Sequence, residues 1–384
     1  MVNEGNGSRI ALMVDRFVPK LGGLESWSHD LAVELTARGH NVRIITTEAE
    51  SRPPGVSIQL IPRSPRLLEQ ASLFAEARQT LPGWIIHDTG AGLGADILQP
   101  QTGCRLLNLE RDNAAQDIAQ RFRRAVSPRQ WRWRSALRRL ERLQLERSRQ
   151  IVAVSQESAA QFRSRYGVPK ARIILIPNGI DTASFHPGHT PRLREAMRKS
   201  LNLPPTALVL LAAAGNFHLK GVHHVLHALA HEARDSGETI LLVAGAGDIP
   251  AFAALAHRLG VAERIRFLGQ RNDMSALFSA ADVFVHLTAH DACSLATLEA
   301  LASGLPVVTT RRNGAADGMV SGREGFVLDR PDGRALAAML PELRAPARRA
   351  EMGQAARRLA TRHDFSRNVD RIEALYANLQ PVSG

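Results

Sequence analysis

Asp291 and Glu299 bracket a run of small and apolar residues in the stretch HDACSLATLEALASGLPVV, from His290 to Val308. The preceding ADVFVHL reads as a buried strand and AHDAC as the loop leaving it. Ser294 suits the N-cap of a helix, LATLEALASG, that stops at Gly304. The first turn of such a helix presents backbone N–H groups and the positive end of its dipole, which together favour an anion. Asp291 precedes that turn. Glu299 falls in the second turn, its side chain tilted back toward the helix start. Two acids flanking an anion site suit a ligand with a phosphate in the middle and hydroxyls at both ends, and a sugar nucleotide has that layout. Taken alone, the same residues also fit a surface helix glutamate and an ordinary turn aspartate.

Three further segments lie between a strand and a helix. GNFHLKGV carries His218 and Lys220 where a strand ends; Gly221 allows close backbone approach, and a lysine there can neutralise a diphosphate as a point charge. PKLGGLES places Gly22 and Gly23 before a helix, where a phosphate or sugar could approach the backbone. ILQPQTGCR offers Gln101, Thr102 and Gly103 as cleft-lining residues. Each signal is weak alone, since strand-to-helix loops often carry a lysine or a glycine turn. Other chemistries lack an anchor. There is no P-loop, GAGLG and GAGD are incomplete dinucleotide fingerprints, and no Gly-x-Ser-x-Gly elbow occurs. No Asp-x-Asp pair is present to hold a divalent metal. His223 and His227 share one helix face at zinc-compatible spacing but lack a third ligand.

These segments need a scaffold that brings strand ends together. RIALMVD, a glycine-bearing loop, an amphipathic helix from about Leu24 to Arg38 and the strand NVRIITT open the chain as β-loop-α-β. VSIQLIP, GWIIHD, QIVAVS and RIILIPN continue the alternation. After the turn-rich PNGIDTASFHPGHTP the pattern restarts with ALVLLAAAG, TILLVAGAGD, RIRFLG, ADVFVHLT and LPVVTT. Such alternation implies α/β domains with doubly wound parallel sheets, in which ligands bind beyond the carboxyl ends of the strands. Two domains are expected, residues 1–185 and 186–364. The segment from about Arg348 to Asn378 is expected to be helical, with a terminal helix at about 365–384 returning to the first domain.

Composition narrows the class. With 384 residues at about 150 per domain, two cores are affordable. Cys104 and Cys293 are too few for a disulfide framework. MVNEGNGSRIALMV lacks the pattern of a signal peptide, and the longest apolar run, Ala207 to Ala214, is too short to span a bilayer. A cytoplasmic protein is expected. Lys and Arg number 49 against 37 acids, a formal charge of +12. The excess peaks at residues 121–149, where Arg121, Arg123, Arg124, Arg129, Arg132, Arg134, Arg138, Arg139, Arg142, Arg147 and Arg149 are interleaved with Trp131, Trp133, Leu137, Leu140 and Leu143. A solvated helix and an anionic membrane surface are the two leading explanations; no nucleic-acid motif accompanies the charge, and no nucleic acid is expected.

Assembled, these segments resemble glycosyltransferase family 4, retaining and metal-independent enzymes of the GT-B fold. DACSLATLEALASGLPVVTT is similar to that family's two-acid motif and the Ala-x-Gly-x-Pro-Val that follows it. LGGLESWSHDLAVELTARGHNVRIIT resembles its opening, VSQESAAQFRSRYGVPKARIILIPNGID its domain-end signature, and LKG its donor-phosphate loop. The lipopolysaccharide-core hexosyltransferases are the nearest flavour, around FLGQRNDMSALFSAADVFVHL. The resemblance implies two Rossmann-like domains facing a central cleft. It also implies transfer of a hexose, from a UDP-sugar by preference, to a lipid-linked or polysaccharide acceptor of the cell envelope, with no metal or other cofactor.

The roles it implies are specific. Glu299 holds the ribose. Asp291 and the backbone around Cys293, Ser294 and Leu295 hold the donor sugar and phosphate. Lys220 stabilises the leaving diphosphate, and Gly22 and Gly23 face the phosphate from the first domain. Three positions depart from the family pattern: Asp291 replaces the usual glutamate, Gln101 the cleft histidine, and His218 the arginine that accompanies the lysine. An amide cannot shuttle a proton, and a histidine is mostly neutral at pH 7. The alternative is therefore a GT-B protein that binds a nucleotide sugar or glycan without efficient transfer. Peripheral contact of the arginine-rich segment with an anionic inner membrane face is the further partner implied.

Overall fold

The computed structural model describes residues 7–114, 127–187, 191–232 and 238–379. The chain divides into two compact units, Met1–Asn178 with Ser366–Gly384, and Gly179–Phe365.

The first unit is built on seven strands in the spatial order Ser57–Leu60, Asn41–Thr46, Arg9–Met13, Ile85–Asp88, Ile97–Leu98, Gln150–Ala153 and Ile173–Leu175. Every pairing in it is parallel. Its central strand is buried from Ile10 to Met13 because helices cover both faces, which is why RIALM reads as a continuous apolar run instead of alternating. The strand order reverses between Arg9–Met13 and Ile85–Asp88, so the loops leaving those strands diverge there. Ile97–Leu98 is a two-residue strand inside a segment that the sequence presents only as a loop.

The helix Phe365–Leu379 closes this unit. Arg38 donates to Asp370 and Glu373 at 2.6 and 2.5 Å, and His40 meets Glu373 at 2.7 Å. Tyr376, 1% exposed, reaches the sheet itself through His87.

The arginine-rich stretch forms the helix Pro128–Arg147, capped by Ser127, whose hydroxyl accepts from the Gln130 amide. Its inner face buries Leu137, Leu140 and Leu145 together with Glu141 and Gln144. Gln144 donates to the carbonyls of Gly90 and Gly92. Trp131 and Trp133 stay 71% and 46% exposed, so they contribute nothing to this core. Arg121, Arg123 and Arg124 lie outside the described residues.

The second unit carries six parallel strands in the order Ile265–Gly269, Thr239–Ala244, Leu208–Ala213, Val283–His286, Val307–Thr310 and Gly325–Leu328. Leu208–Ala213 sits at the centre, pairing with Thr239–Ala244 on one side and Val283–His286 on the other. That junction is the point where strand order reverses, the place where open α/β sheets bind ligands. The outermost strand, Gly325–Leu328, is not among the strands expected from sequence; its partly exposed side chains give no continuous apolar run.

Candidate functional site

Two loops leave the sheet of the second unit at its switch point, and both are tightly specified. In the first, Asn216 accepts from the Leu219 amide through its side chain and from the Lys220 amide through its carbonyl, each at 3.0 Å. Gly221 then takes φ +75°, which lets Val222–His231 start as a helix immediately afterwards. A Cβ on Gly221 would stand 1.8 Å from the Leu287 carbonyl oxygen, so this loop presses directly on the backbone leaving Val283–His286. The second loop is stitched to it. The Ala289 amide and the Thr288 hydroxyl both donate to the Leu219 carbonyl at 3.1 Å.

Those contacts deliver Lys220 to Asp291. The Lys220 ammonium donates to Asp291 Oδ2, and His286 Nε2 lies 3.1 Å from the same oxygen. Burial pushes the Asp291 carboxyl up, but Lys220 and the His286 hydrogen bond outweigh it and hold the group well below the usual carboxylate range. Burial keeps His286 below the ordinary imidazole value, although its bond to Asp291 pulls the other way. The result is an ionised acid, a cation and a neutral imidazole within one hydrogen-bonded cluster. An acid so strongly ionised is a poor proton acceptor, so Asp291 is suited to hold cations and hydroxyls and unsuited to general-base work.

Asn313 fixes the rest of the second loop. Asp291 forms an isolated parallel bridge with it, and the Asp291 amide donates to the Arg312 carbonyl at 2.9 Å. The Asn313 side chain, 1% exposed, uses every hydrogen-bonding group it has. Its oxygen accepts from the Ser294 and Ala315 amides at 3.3 and 3.1 Å, and its nitrogen donates to Thr297 and Thr309 at 2.9 and 3.1 Å. Ser294 caps the helix Leu295–Ala302 by accepting from the Thr297 amide. The start of that helix therefore stands beside Asp291, with Cys293 buried and Glu299, half-buried, one turn further on. Asn313 and His286 were not singled out from sequence. Each sits at or just beyond the carboxyl end of a strand, and Asn-Gly after TTRR is the only signal that pointed to the first.

His218 shares the turn of Lys220 but is exposed, and its ring stacks on His223 at 4.7 Å instead of meeting the Asp291 cluster. Burial, followed by His224, His218 and His227, holds His223 down at about 3. Among the described residues no group of three or more His, Cys, Asp or Glu is placed to hold a metal ion.

Gly22, Gly23 and Gln101 belong to the first unit. Gly22 is exposed, with an extended backbone that any residue adopts, and precedes the helix Gly23–Ala37. A Cβ there would meet only the Glu25 carboxylate, at 3.1 Å. Neither backbone nor packing in this unit demands glycine at 22. Gln101 sits in the turn closed by the Gly103 amide on the Pro100 carbonyl. It is 9% exposed, and its buried Nε2 has no hydrogen-bond partner. A buried donor left without a partner costs about 1–3 kcal/mol.

Two family models match the chain: Glycosyltransferase Family 4 at residues 21–184 and Glycosyl transferases group 1 at residues 208–345. Lipopolysaccharide glucosyltransferase WaaG of Escherichia coli (strain K12) is 26% identical over 332 residues, which is 84% of this chain and 85% of that protein. A D-inositol 3-phosphate glycosyltransferase of Corynebacterium urealyticum is 29% identical over 240 residues, covering 60% of this chain and 56% of its own length. Among solved structures, WaaG superposes with a TM-score of 0.80 at 24% identity, over 98% of this chain and all of the other. Anabaena Alr3699/HepE in complex with UDP-glucose gives 0.74 at 20% identity, over 96% and 99%. The chain belongs to the family 4 glycosyltransferases and is an enzyme of that class, with two parallel-sheet domains of the GT-B fold.

Proposed function

We propose that this glycosyltransferase is a retaining, metal-independent hexosyltransferase that takes a UDP-sugar donor and a lipid-linked or polysaccharide acceptor of the cell envelope. The observation that carries the proposal is the Lys220–Asp291–His286 cluster at the switch point, beside the Ser294-capped helix start. A diphosphate at that helix start places its developing charge near Lys220, which provides electrostatic stabilisation of the leaving group. Asp291 keeps Lys220 in position and remains available to a sugar hydroxyl. Glu299 then takes the ribose. Asp291 Oδ2 is already engaged by Lys220 and His286, which suits a positioning role in this reading. The acceptor attacks on the face from which the diphosphate leaves, and no enzymic nucleophile is needed. The UDP preference draws support from the HepE structure, which holds UDP-glucose, and the acceptor class from the name of WaaG.

Gln101, with its unpartnered buried amide, serves the acceptor side. The cytoplasmic face of the membrane is the proposed place of action. No described helix is long and apolar enough to cross a membrane. The exposed Trp131 and Trp133 among the arginines of Pro128–Arg147 suit peripheral contact with anionic lipid, where each basic residue contributes about 1 kcal/mol. A second reading, donor binding without efficient transfer, is favoured by one observation: His218, in the place of the family's arginine, stacks on His223.

Calorimetric titration with UDP, GDP, ADP and the matching sugar nucleotides, with Glu299→Ala as control, tests the proposal. Micromolar binding of the uridine series alone, lost in the control, supports it. Preference for another nucleotide corrects the donor, and no binding at all sinks the donor-site assignment. Binding without turnover on any envelope acceptor favours the second reading.

A further inference from the structure

The first unit has a pocket that the proposed reaction does not use. Its lining includes Arg138 and Arg142 from the helix Pro128–Arg147, and Arg165 and Tyr166 from the helix Gln156–Tyr166, around a cavity of about 240 Å³. We propose that this pocket binds a phosphate ester, recognised by the guanidinium groups of Arg138 and Arg142 together with that of Arg165, which Glu110 also engages. The inference rests on this geometry alone and is independent of the donor-site reading.

Four observations carry it. Arg138 and Arg142 stand one helical turn apart, so their side chains are neighbours on the same face; like charges at that spacing destabilise a helix unless an anion joins them. Among the described residues neither has a carboxylate partner. Arg165 donates to Glu110 at 2.6 Å, and Arg134 lies 3.8 Å from the same acid, so one carboxylate is shared between two cations.

Glu141, the other acid nearby, is buried at 6% exposure and accepts from the Arg105 and Leu106 amides at 2.6 and 3.2 Å and from the Tyr166 hydroxyl at 2.6 Å. Tyr166 is thereby locked as a wall of the pocket, its proton committed to Glu141. Among the described residues, the charged side chains that line the cavity are the three arginines.

The chemistry of the ligand follows from number and size. One guanidinium fork suffices for a carboxylate, whereas a phosphate offers enough oxygens for three. The cavity, about 240 Å³, is larger than a bare phosphate fills. A phosphate carrying part of its esterified sugar or glycerol fits better. The ester can be a lipid headgroup or a phosphate on a soluble or glycan molecule.

The test uses the full chain and two double variants with equal charge loss: R138Q/R142Q in the pocket, and R132Q/R139Q on the same helix outside it. Two probes are titrated, inorganic phosphate by calorimetry in a phosphate-free buffer, and vesicles of phosphatidylcholine with or without phosphatidylglycerol by co-sedimentation. Exposed arginines are replaced in both pairs, and circular dichroism melts verify that both remain folded. Saturable phosphate binding that weakens tenfold or more only in R138Q/R142Q supports the pocket and assigns it a free or glycan-borne phosphate. Loss of phosphatidylglycerol-dependent binding beyond that of R132Q/R139Q supports it and assigns a lipid headgroup. Equal losses in the two pairs reduce the effect to general basicity and overturn the proposal, as does failure of both probes to bind the wild-type chain.

Discussion

Removing the Lys220 ammonium has consequences that differ for stability and for turnover. In Lys220→Ala, Asp291 loses the cation bonded to Oδ2 and keeps only His286, 3.1 Å away. The two side chains are 22% and 14% exposed, so the pair is sheltered from solvent screening. Breaking one partner of such a pair costs about 3–5 kcal/mol, and the residual exposure places the expected loss near the lower figure, about 3 kcal/mol at pH 7.5. The sign with pH follows. In the wild type the depressed Asp291 pKa gives stability that is present above the unfolded carboxylate value and lost as pH falls through the folded one. Without Lys220, burial becomes the dominant influence and raises the pKa, so the variant gains relative stability as pH falls. The gap between the two proteins is therefore largest at neutral pH and narrows toward pH 4. Urea unfolding at pH 7.5 and pH 4.5 measures it. Turnover is expected to drop by about 10²–10³, the effect of deleting one transition-state donor. A gap that is absent, or that widens on acidification, refutes the charge pairing. A stability loss with unchanged transfer rate refutes the catalytic role while leaving the pairing intact.

Other substitutions probe the supports. Asn313→Ala abandons four hydrogen bonds in a buried site and is expected to cost about 2–4 kcal/mol and to weaken donor binding, since the Ser294 amide and Thr297 lose their anchor; thermal melts and donor titration read both. Gly221→Ala puts a Cβ against the Leu287 carbonyl in a left-handed backbone, so a loss of about 3 kcal/mol or an insoluble product is expected, and a neutral result on unfolding contradicts the loop contact. His87 is held at about 4, first by burial, with the Gln99 bond opposing. Its folded pKa lies below the unfolded value of about 6.5, so its stabilising contribution is full above that value and fades toward pH 4. Relative to His87→Gln, the wild type should lose about 3 kcal/mol between pH 7 and pH 4; parallel unfolding curves across that range contradict the neutral buried imidazole.

The sequence by itself determined what depends on local periodicity. Apolar runs of strand length alternating with amphipathic helices determine two parallel-sheet units, because a parallel strand is covered on both faces and a crossover helix on one. The same local chemistry marked Ser294 as a cap, Gly221 as a place of close backbone approach, and Lys220, Asp291 and Glu299 as residues of strand-to-helix segments. Short or half-exposed strands escaped it: Ile97–Leu98 is too brief to show a period, and Gly325–Leu328 at the sheet edge is only partly buried.

Tertiary structure decided the partners. Lys220 and Asp291 meet across 71 residues because Leu208–Ala213 and Val283–His286 are neighbours in the sheet, an order that alternation does not encode. His286 looks like one more strand residue until the loop folds Asp291 back over it. Asn313 becomes a hub only when the strand Val307–Thr310 is laid beside Val283–His286. Tyr376 reaches His87 across 289 residues, and with Gln99 Oε1 accepting from Nε2, the Tyr376 hydroxyl supplies Nδ1 and fixes the neutral tautomer. Periodicity fixes which face of an element is buried; hydrogen-bond and charge partners are set by which elements lie side by side, and that is settled only when the cores pack.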